Sequence, residues 1–290
     1  MSRIAVVTDT TQYLPADVIE RHGIQLVSLY VNWDGRTDRE IDLPDYDGFY
    51  DHLRSASELP TTSQPSLGDF LAVYEPLVEQ GADIVSIHLS GAISGTVRAA
   101  EQARELLIER GMAPERMTVI DSRTGCAGHG FMAVAAANAV EQGADLAGAV
   151  TAANQLREDL QILVMVDTLE YLRRGGRIGS AAAWIGATLK VKPILTIEGE
   201  MKPVERVRTA GRAFERLVAH LEQRRADGCD AFAVQHIQAS PEAERLAERG
   251  RDIFGRDPEL VSEIGPVIGT HTGPGILGVA GLRTELLGPM

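Results

Sequence analysis

Short apolar runs alternate with longer amphipathic ones between residues 3 and 142, and this rhythm restricts the fold more than any other feature of the chain. Strands are read in "RIAVVTDT", "IQLVSLYVNW", "DIVSIHLS" and "MTVIDS", and helices in "PADVIERHG", "LGDFLAVYEPLVEQG", "TVRAAEQARELLIERG" and "GFMAVAAANAVEQG". Strands separated by helices of this length pair in parallel, and their crossovers cover both faces of the sheet.

The rhythm changes around residues 145 to 165. A long helix, "DLAGAVTAANQLREDL", leads into the strand "QILVMVD", then a helix "SAAAWIGATLK" and a hairpin "VKPILTIEGEMKPVERVRT" turning at Glu198-Gly199-Glu200. The helix "RAFERLVAHLEQRRADG" and the strand "DAFAVQHI" follow. A further helix is announced by Ser240 as N-cap, Pro241 at the first helical position and Glu242 in the first turn. The chain ends in a strand "ELVSEI" and a Gly-rich segment. The expected fold is α/β in two domains, 1–158 with a parallel sheet flanked by helices and 159–290 with a mixed sheet, and a cleft at their junction.

Charge narrows the partners. The chain carries 28 Lys and Arg against 41 Asp and Glu, a net charge of -13 that repels polyanions, so nucleic acid is not an expected partner. "IAVV" behind Arg3 is too short for a signal-peptide core and no apolar run reaches spanning length, so a cytoplasmic protein without stable membrane insertion is expected. Cys126 and Cys229 lack C-x-x-C spacing and read as reduced, packed thiols; no metal or other cofactor is expected.

In open α/β sheets ligands collect beyond the carboxyl ends of the strands. The loops there are "TDTTQYLP", "SGAISGT" and "DSRTG", with "PTTSQPS" ahead of the next helix. "SGAISGT" runs straight from a strand into a helix, so Ser94, Gly95 and Thr96 either present an anion site or simply cap the helix. Ser66 reads as the cap of the helix starting at Leu67, which leaves Thr62, Ser63 and Gln64 free. Asp9 and Asp121 read as loop organisers.

Three enzyme templates fail. "GAISG" has its serine in the wrong place for a nucleophile elbow, and no G-x-x-x-x-G-K-[ST] occurs. Gly273, Gly275 and Gly278 spell G-x-G-x-x-G, but only 12 residues follow Gly278, too few for the dinucleotide unit that should open there. Arg173, Arg174 and Arg177 in "LEYLRRGGRIG" form either a solvated helix end or a contact for phosphate or an acidic partner, with Arg206 and Arg208 as further candidates.

Taken in order, "VTDTTQYLP", "TTSQPS", "LSGAISGT", "IDSRTG", "LEYLRRGGRIG", "VKPIL" and "HTGPG" resemble the DegV family, which includes the fatty-acid-binding subunits of bacterial fatty acid kinase. The resemblance covers essentially the whole chain. "DTT" stands where "DST" is commoner in the family, and "SGAISGT" where it often has "SSGLSGT"; both changes keep hydroxyl or small residues. The resemblance implies a long-chain fatty acid in a tunnel at the domain junction, its carboxylate at Thr62, Ser94, Gly95, His271 and Thr272. It also implies a separate ATP-dependent kinase subunit that phosphorylates the bound acid, with this chain as carrier and not catalyst. Burial of roughly sixteen carbons at about 0.8 kcal/mol per methylene would supply on the order of 10 kcal/mol, so affinity would come from the tail and orientation from the head. His271 would donate to the carboxylate and, if protonated, steady an acyl phosphate. Ile185 and Leu189 lie on one face of the "SAAAWIGATLK" helix, which either closes over the tail or packs between domains. Two alternatives remain: a small-carbonyl-binding subunit using His271, by the fold's distant kinship with dihydroxyacetone kinase, and a lipid-responsive regulator with no kinase partner.

Overall fold

The computed structural model describes residues 3–184 and 191–290. The first half contains β1 (Ile4–Asp9), α1 (Ala16–Arg21), β2 (Gln25–Val27), β3 (Tyr30–Trp33), β4 (Arg36–Arg39), α2 (Asp47–Ser55) and β5 (Thr61–Ser63). It continues through α3 (Leu67–Glu79), β6 (Asp83–His88), α4 (Thr96–Glu109), β7 (Met117–Asp121), α5 (Ala127–Glu141) and α6 (Leu146–Asp159). The second half holds β8 (Gln161–Met165), α7 (Glu170–Arg174), β9 (Lys192–Glu198), β10 (Glu200–Val207), α8 (Ala210–Ala226) and β11 (Ala231–His236). It ends with α9 (Ser240–Phe254), β12 (Leu260–Glu263), α10 (Pro266–Thr272), β13 (Leu277–Leu282) and α11 (Thr284–Leu287).

Among the described residues these strands make a four-stranded parallel sheet β2-β1-β6-β7, a six-stranded mixed sheet β10-β9-β8-β13-β11-β12 and a three-stranded antiparallel sheet β4-β3-β5. The α/β class and the parallel-then-mixed order read from the sequence are both found. Phe70, Tyr74, Ala100 and Ala103 of α3 and α4 cover one face of the parallel sheet, and α5 and α6 cover the other. The two sheets share α5. Its residues from Ala127 to Asn138 are all buried, and its core joins Val6 and Val85 of one sheet to Ala231, Ala233 and Leu282 of the other. A helix apolar on every side is stable only when covered on every side, and "AGHGFMAVAAAN" supplies the small side chains that let two sheets approach it.

Several expectations are corrected. "IQLVSLYVNW" is two strands: β2 pairs with β1, whereas β3 leaves to pair with β4 and β5. The Asp34-Gly35 turn, with φ of 51° and 73°, folds β3 and β4 into a two-residue hairpin. "TTS" is β5 and not loop. Ala239 is the N-cap of α9, so Ser240 is the first helical residue; Pro241, lacking an N–H, is accommodated anywhere in the first turn. The start of "SAAAWIGATLK" belongs to a 3-10 helix, Gly179–Trp184, entered one residue earlier through Gly179 at φ 53°, with Ala181 buried against the β9–β10 hairpin; Ile185 and Leu189 lie outside the described residues. The Gly-rich end conceals α10 and β13, the latter antiparallel between β8 and β11 in the middle of the mixed sheet.

Ser66 does cap α3. It accepts from the Asp69 N–H while the Asp69 carboxylate accepts from the Ser66 N–H, a reciprocal capping box. Ser66→Ala is expected to lower stability by about 1 kcal/mol, read as a lower urea midpoint with unchanged slope.

Candidate functional site

A cavity of about 370 Å³ opens between the mixed sheet, α5 and the loops above the parallel sheet. Period-two alternation builds its floor: Ile162, Val164, Ala233, Gln235, Gly278 and Ala280 face the cavity, while Leu163, Met165, Val234 and Leu277 face α8 and α9. Phe131, Ala127 and Gly128 of α5 form the opposite wall, and Val267 and Ile268 of α10 a side. The lining is mostly apolar.

The polar groups collect around Thr62, Ser94 and His271. Pairing of β5 with β3, with Thr62 opposite Val31, carries Thr62 Oγ1 to 2.7 Å from Nε2 of His271, 209 residues away in sequence. Ser94 Oγ lies 2.8 Å from Thr96 Oγ1 and accepts from the Thr96 N–H at 3.3 Å. Gly95 is the N-cap of α4 and has no side chain to close it, and no acidic residue lies in the first turn. A 14-residue helix therefore begins at the cavity wall with the positive end of its dipole, a setting that favours an anion. Ser94 bonds the first helical N–H, as a capping residue does, and Ser94 and Gly95 also line the cavity.

Burial, with the charge of Arg177 adding to it, pushes the His271 imidazole down to about 4. It is therefore neutral at neutral pH, and among the described residues its buried Nδ1 has no hydrogen-bond partner. Positive charge at the site comes instead from Arg177, which lines the cavity and donates to the carbonyls of Gly175 (2.6 Å) and Ile93 (3.4 Å). Thr272 also lines the cavity, but its hydroxyl donates to the Ile268 carbonyl within its own helix.

Four other arginines lie off the lining. Arg173 is paired with Glu170 at 2.6 Å, and Arg174 is exposed beside it in the last turn of α7. Arg206 stacks over Trp184 at 5.1 Å, and Arg208 is exposed one turn of the pleat beyond Arg206, just past the end of β10. Gln235 was not singled out from the sequence. Its Oε1 accepts from the Ala127 N–H at 2.8 Å and its Nε2 donates to Ser262, so one side chain from the mixed sheet closes the first turn of α5. The available signal was a polar residue inside the apolar run "DAFAVQHI".

The DegV family model, described as "Uncharacterised protein, DegV family", matches residues 3–284. The chain belongs to the DegV family. It is 44% identical over 284 residues to a DegV domain-containing protein of Streptomyces coelicolor, covering 96% of this chain and 98% of the relative. Protein DegV of Bacillus subtilis is 36% identical over 279 residues, covering 95% and 98%. Two solved DegV structures are described as fatty acid binding: that of Bacillus subtilis (TM-score 0.87, 35% identity, covering 98% and 100%) and one from Thermus thermophilus (TM-score 0.86, 34% identity, covering 97% and 99%).

In this DegV fold the G-x-G-x-x-G stretch runs from a helix into a strand, the reverse of a dinucleotide fingerprint. Gly273 ends α10 at φ 76°, Gly275 continues the turn at φ 85°, and Gly278 already pairs in β13. Both cysteines are free and buried, as their spacing implied. No helix among the described residues is long and apolar enough to cross a membrane.

Proposed function

We propose that this DegV protein binds a long-chain fatty acid in the cavity, its carboxylate held at Thr62, Ser94, Gly95, His271 and Thr272, and presents that carboxylate to a separate ATP-dependent kinase subunit in the cytoplasm. The observation that carries the reading is the cavity itself: about 370 Å³, apolar over most of its lining, with hydroxyls, an imidazole, a helix N-terminus and a guanidinium gathered among its walls. The fatty acid binding described for the Thermus thermophilus and Bacillus subtilis structures supports the ligand class. A small carbonyl would leave most of that apolar lining unused.

Residues 1–158 and 159–290 are taken as two domains with the lipid at their junction. A neutral His271 offers one N–H to the carboxylate, and Thr62 supplies a hydroxyl next to it; Arg177 meets the negative charge, and the phosphate once formed. Arg173, Arg174, Arg206 and Arg208 would then lie beside the acid as a surface for phosphate or the partner. The reaction transfers the γ-phosphoryl group of ATP to a carboxylate oxygen, giving an acyl phosphate and ADP, and the kinase subunit holds the nucleotide. Solvent extraction of the purified protein should release about one long-chain acid per chain, and ATP with the cognate kinase subunit should convert it to acyl phosphate. An empty protein that takes up no fatty acid would sink the reading.

Ser94→Ala and Thr62→Ala are each expected to weaken binding about tenfold, since a hydrogen bond to a charged group contributes about 1.5–3 kcal/mol and water replaces part of it. Titration with a fluorescent fatty acid measures this directly, and unchanged affinity in both variants would remove these two residues from the head-group site.

A further inference from the structure

The helix that carries His271 has seven residues, too few to hold its own position, so its seating depends on what packs around it. The Val267 N–H, in its first turn, donates to Oε1 of Glu40 at 2.9 Å, and the Tyr13 hydroxyl donates to the same oxygen at 2.8 Å. The Tyr50 hydroxyl donates to the Ile264 carbonyl just ahead of the helix at 2.6 Å. A Cβ at Gly265 would run into Tyr13, Glu40 and Tyr46, and one at Gly269 into the Tyr50 ring, so α10 lies flush on these groups. Glu40 is only 2% exposed; Thr10 is a further hydroxyl neighbour, but among the described residues the buried Oε2 meets no partner at full hydrogen-bond geometry. A neutral side chain could close this helix at less desolvation cost, so the carboxylate calls for an explanation beyond packing.

We propose that Glu40 is a positioning residue for the acid-binding site, seating α10 and hence Val267 and His271, and that its proton loosens this seating. The proposal rests on the reading of His271 as a carboxylate contact. Asp9, Thr10 and Tyr13 face Glu40 from β1 and the turn after it, Tyr46 and Tyr50 from α2, and Cys126 from the start of α5; Glu263 acts on the same tyrosines. None of these is a base, and burial raises the Glu40 carboxyl to about 7 despite its hydrogen bonds. Ionised, Glu40 accepts charge-assisted bonds from Val267 and Tyr13; protonated, it accepts weaker ones. Ligand affinity should therefore fall as pH drops from 8 to 6, a window in which His271, titrating near 4, keeps its charge state.

The test compares wild type with Glu40→Gln, which keeps a carbonyl acceptor for Val267 but does not titrate. Palmitate affinity is measured at pH 6, 7 and 8, and the Val267 amide resonance is followed by NMR without ligand. Wild type should show an amide titration with a midpoint near 7 and several-fold tighter binding at pH 8 than at pH 6, and Glu40→Gln should show neither. Tyr13→Phe removes a bond to the ionised form and should move the amide midpoint upward. A Val267 amide that does not titrate, or identical affinity profiles for wild type and Glu40→Gln, would overturn the proposal. A titrating amide in a protein that binds no palmitate would uphold the Glu40 hold on α10 and defeat the fatty-acid reading instead.

Discussion

Ala280→Phe is expected to abolish retention of a long-chain acid while leaving the protein folded. Ala280 sits in β13 opposite Ala233 of β11 and Ile162 of β8, all three facing the cavity. From Ile276, just before β13, the same side of the strand runs through Gly278 and Ala280 to Leu282, which belongs to the core around α5. The floor is therefore lowest at Gly278 and Ala280, and an acyl chain filling the cavity would lie over them. A phenyl ring there would displace several methylenes, and at about 0.8 kcal/mol each a loss of five amounts to about 4 kcal/mol, close to a thousandfold in affinity. Overpacking a closed core costs about 1–3 kcal/mol, but at Ala280 the ring enters existing space, so the thermal midpoint should move little. Mass spectrometry of extracted lipid and a denaturation curve on one preparation separate the two effects. A variant that still carries the same acid at the same affinity would show that the tail lies elsewhere.

That floor could not be read from the sequence, and the reason is physical. Periodicity identifies a strand and its two faces but not what lies across from each face. "ILGVAGL" alternates small and large residues in a Gly-rich context, which locally resembles a loop as much as a central strand. Strand β13 acquires its place only from β8 and β11 on either side. The first-half strands were legible because each is a continuous apolar run followed by polar loop residues, and three of the four were found whole. The fourth, "IQLVSLYVNW", hid a sheet change that only the Asp34-Gly35 turn announces. Thr62, Ser94 and His271 were singled out together through their motifs and the family resemblance; the 2.7 Å approach of Thr62 to His271 follows from tertiary pairing of β5 with β3. Glu40 was beyond any local reading. It stands in an acidic stretch with Asp38, Asp42, Asp45 and Asp47, where a solvated side chain is the natural inference, and it is buried by tertiary neighbours distant in sequence, Tyr13 and the first turn of α10.

Asp9→Asn is expected to destabilise the protein by about 3–5 kcal/mol, a large part of the 5–15 kcal/mol typical of a folded domain. Asp9 is 0% exposed at the carboxyl end of β1. Oδ1 accepts from the Thr11 N–H and hydroxyl and lies 3.3 Å from His129 of α5; Oδ2 accepts from the Leu89 N–H at 3.1 Å and lies 3.0 Å from His88 Nδ1. His88 Nε2 continues to Ser86 at 2.7 Å, and Ser86 to the Tyr74 hydroxyl at 2.7 Å, so one polar chain crosses the buried parallel sheet to α3. Asparagine offers one acceptor oxygen where the carboxylate offers two, and its NH2 would face donors. Burial alone would raise the Asp9 carboxyl, but His129 and then His88 outweigh it and hold it well below the usual carboxylate range. A carboxyl with a depressed folded pKa contributes stability that is present above its unfolded value of about 3.9 and is lost as pH falls through the folded one. The stability gap between wild type and Asp9→Asn should thus narrow as pH falls below about 4, measurable by urea unfolding across that range. The loop from Leu89 to Ser94 and the first turns of α5 both hang from this carboxylate, and both form cavity wall. Fatty acid affinity should consequently fall in the variant even under conditions where it is folded. A variant within about 1 kcal/mol of wild type at neutral pH would mean that apolar packing around α5 holds these elements without the buried charge.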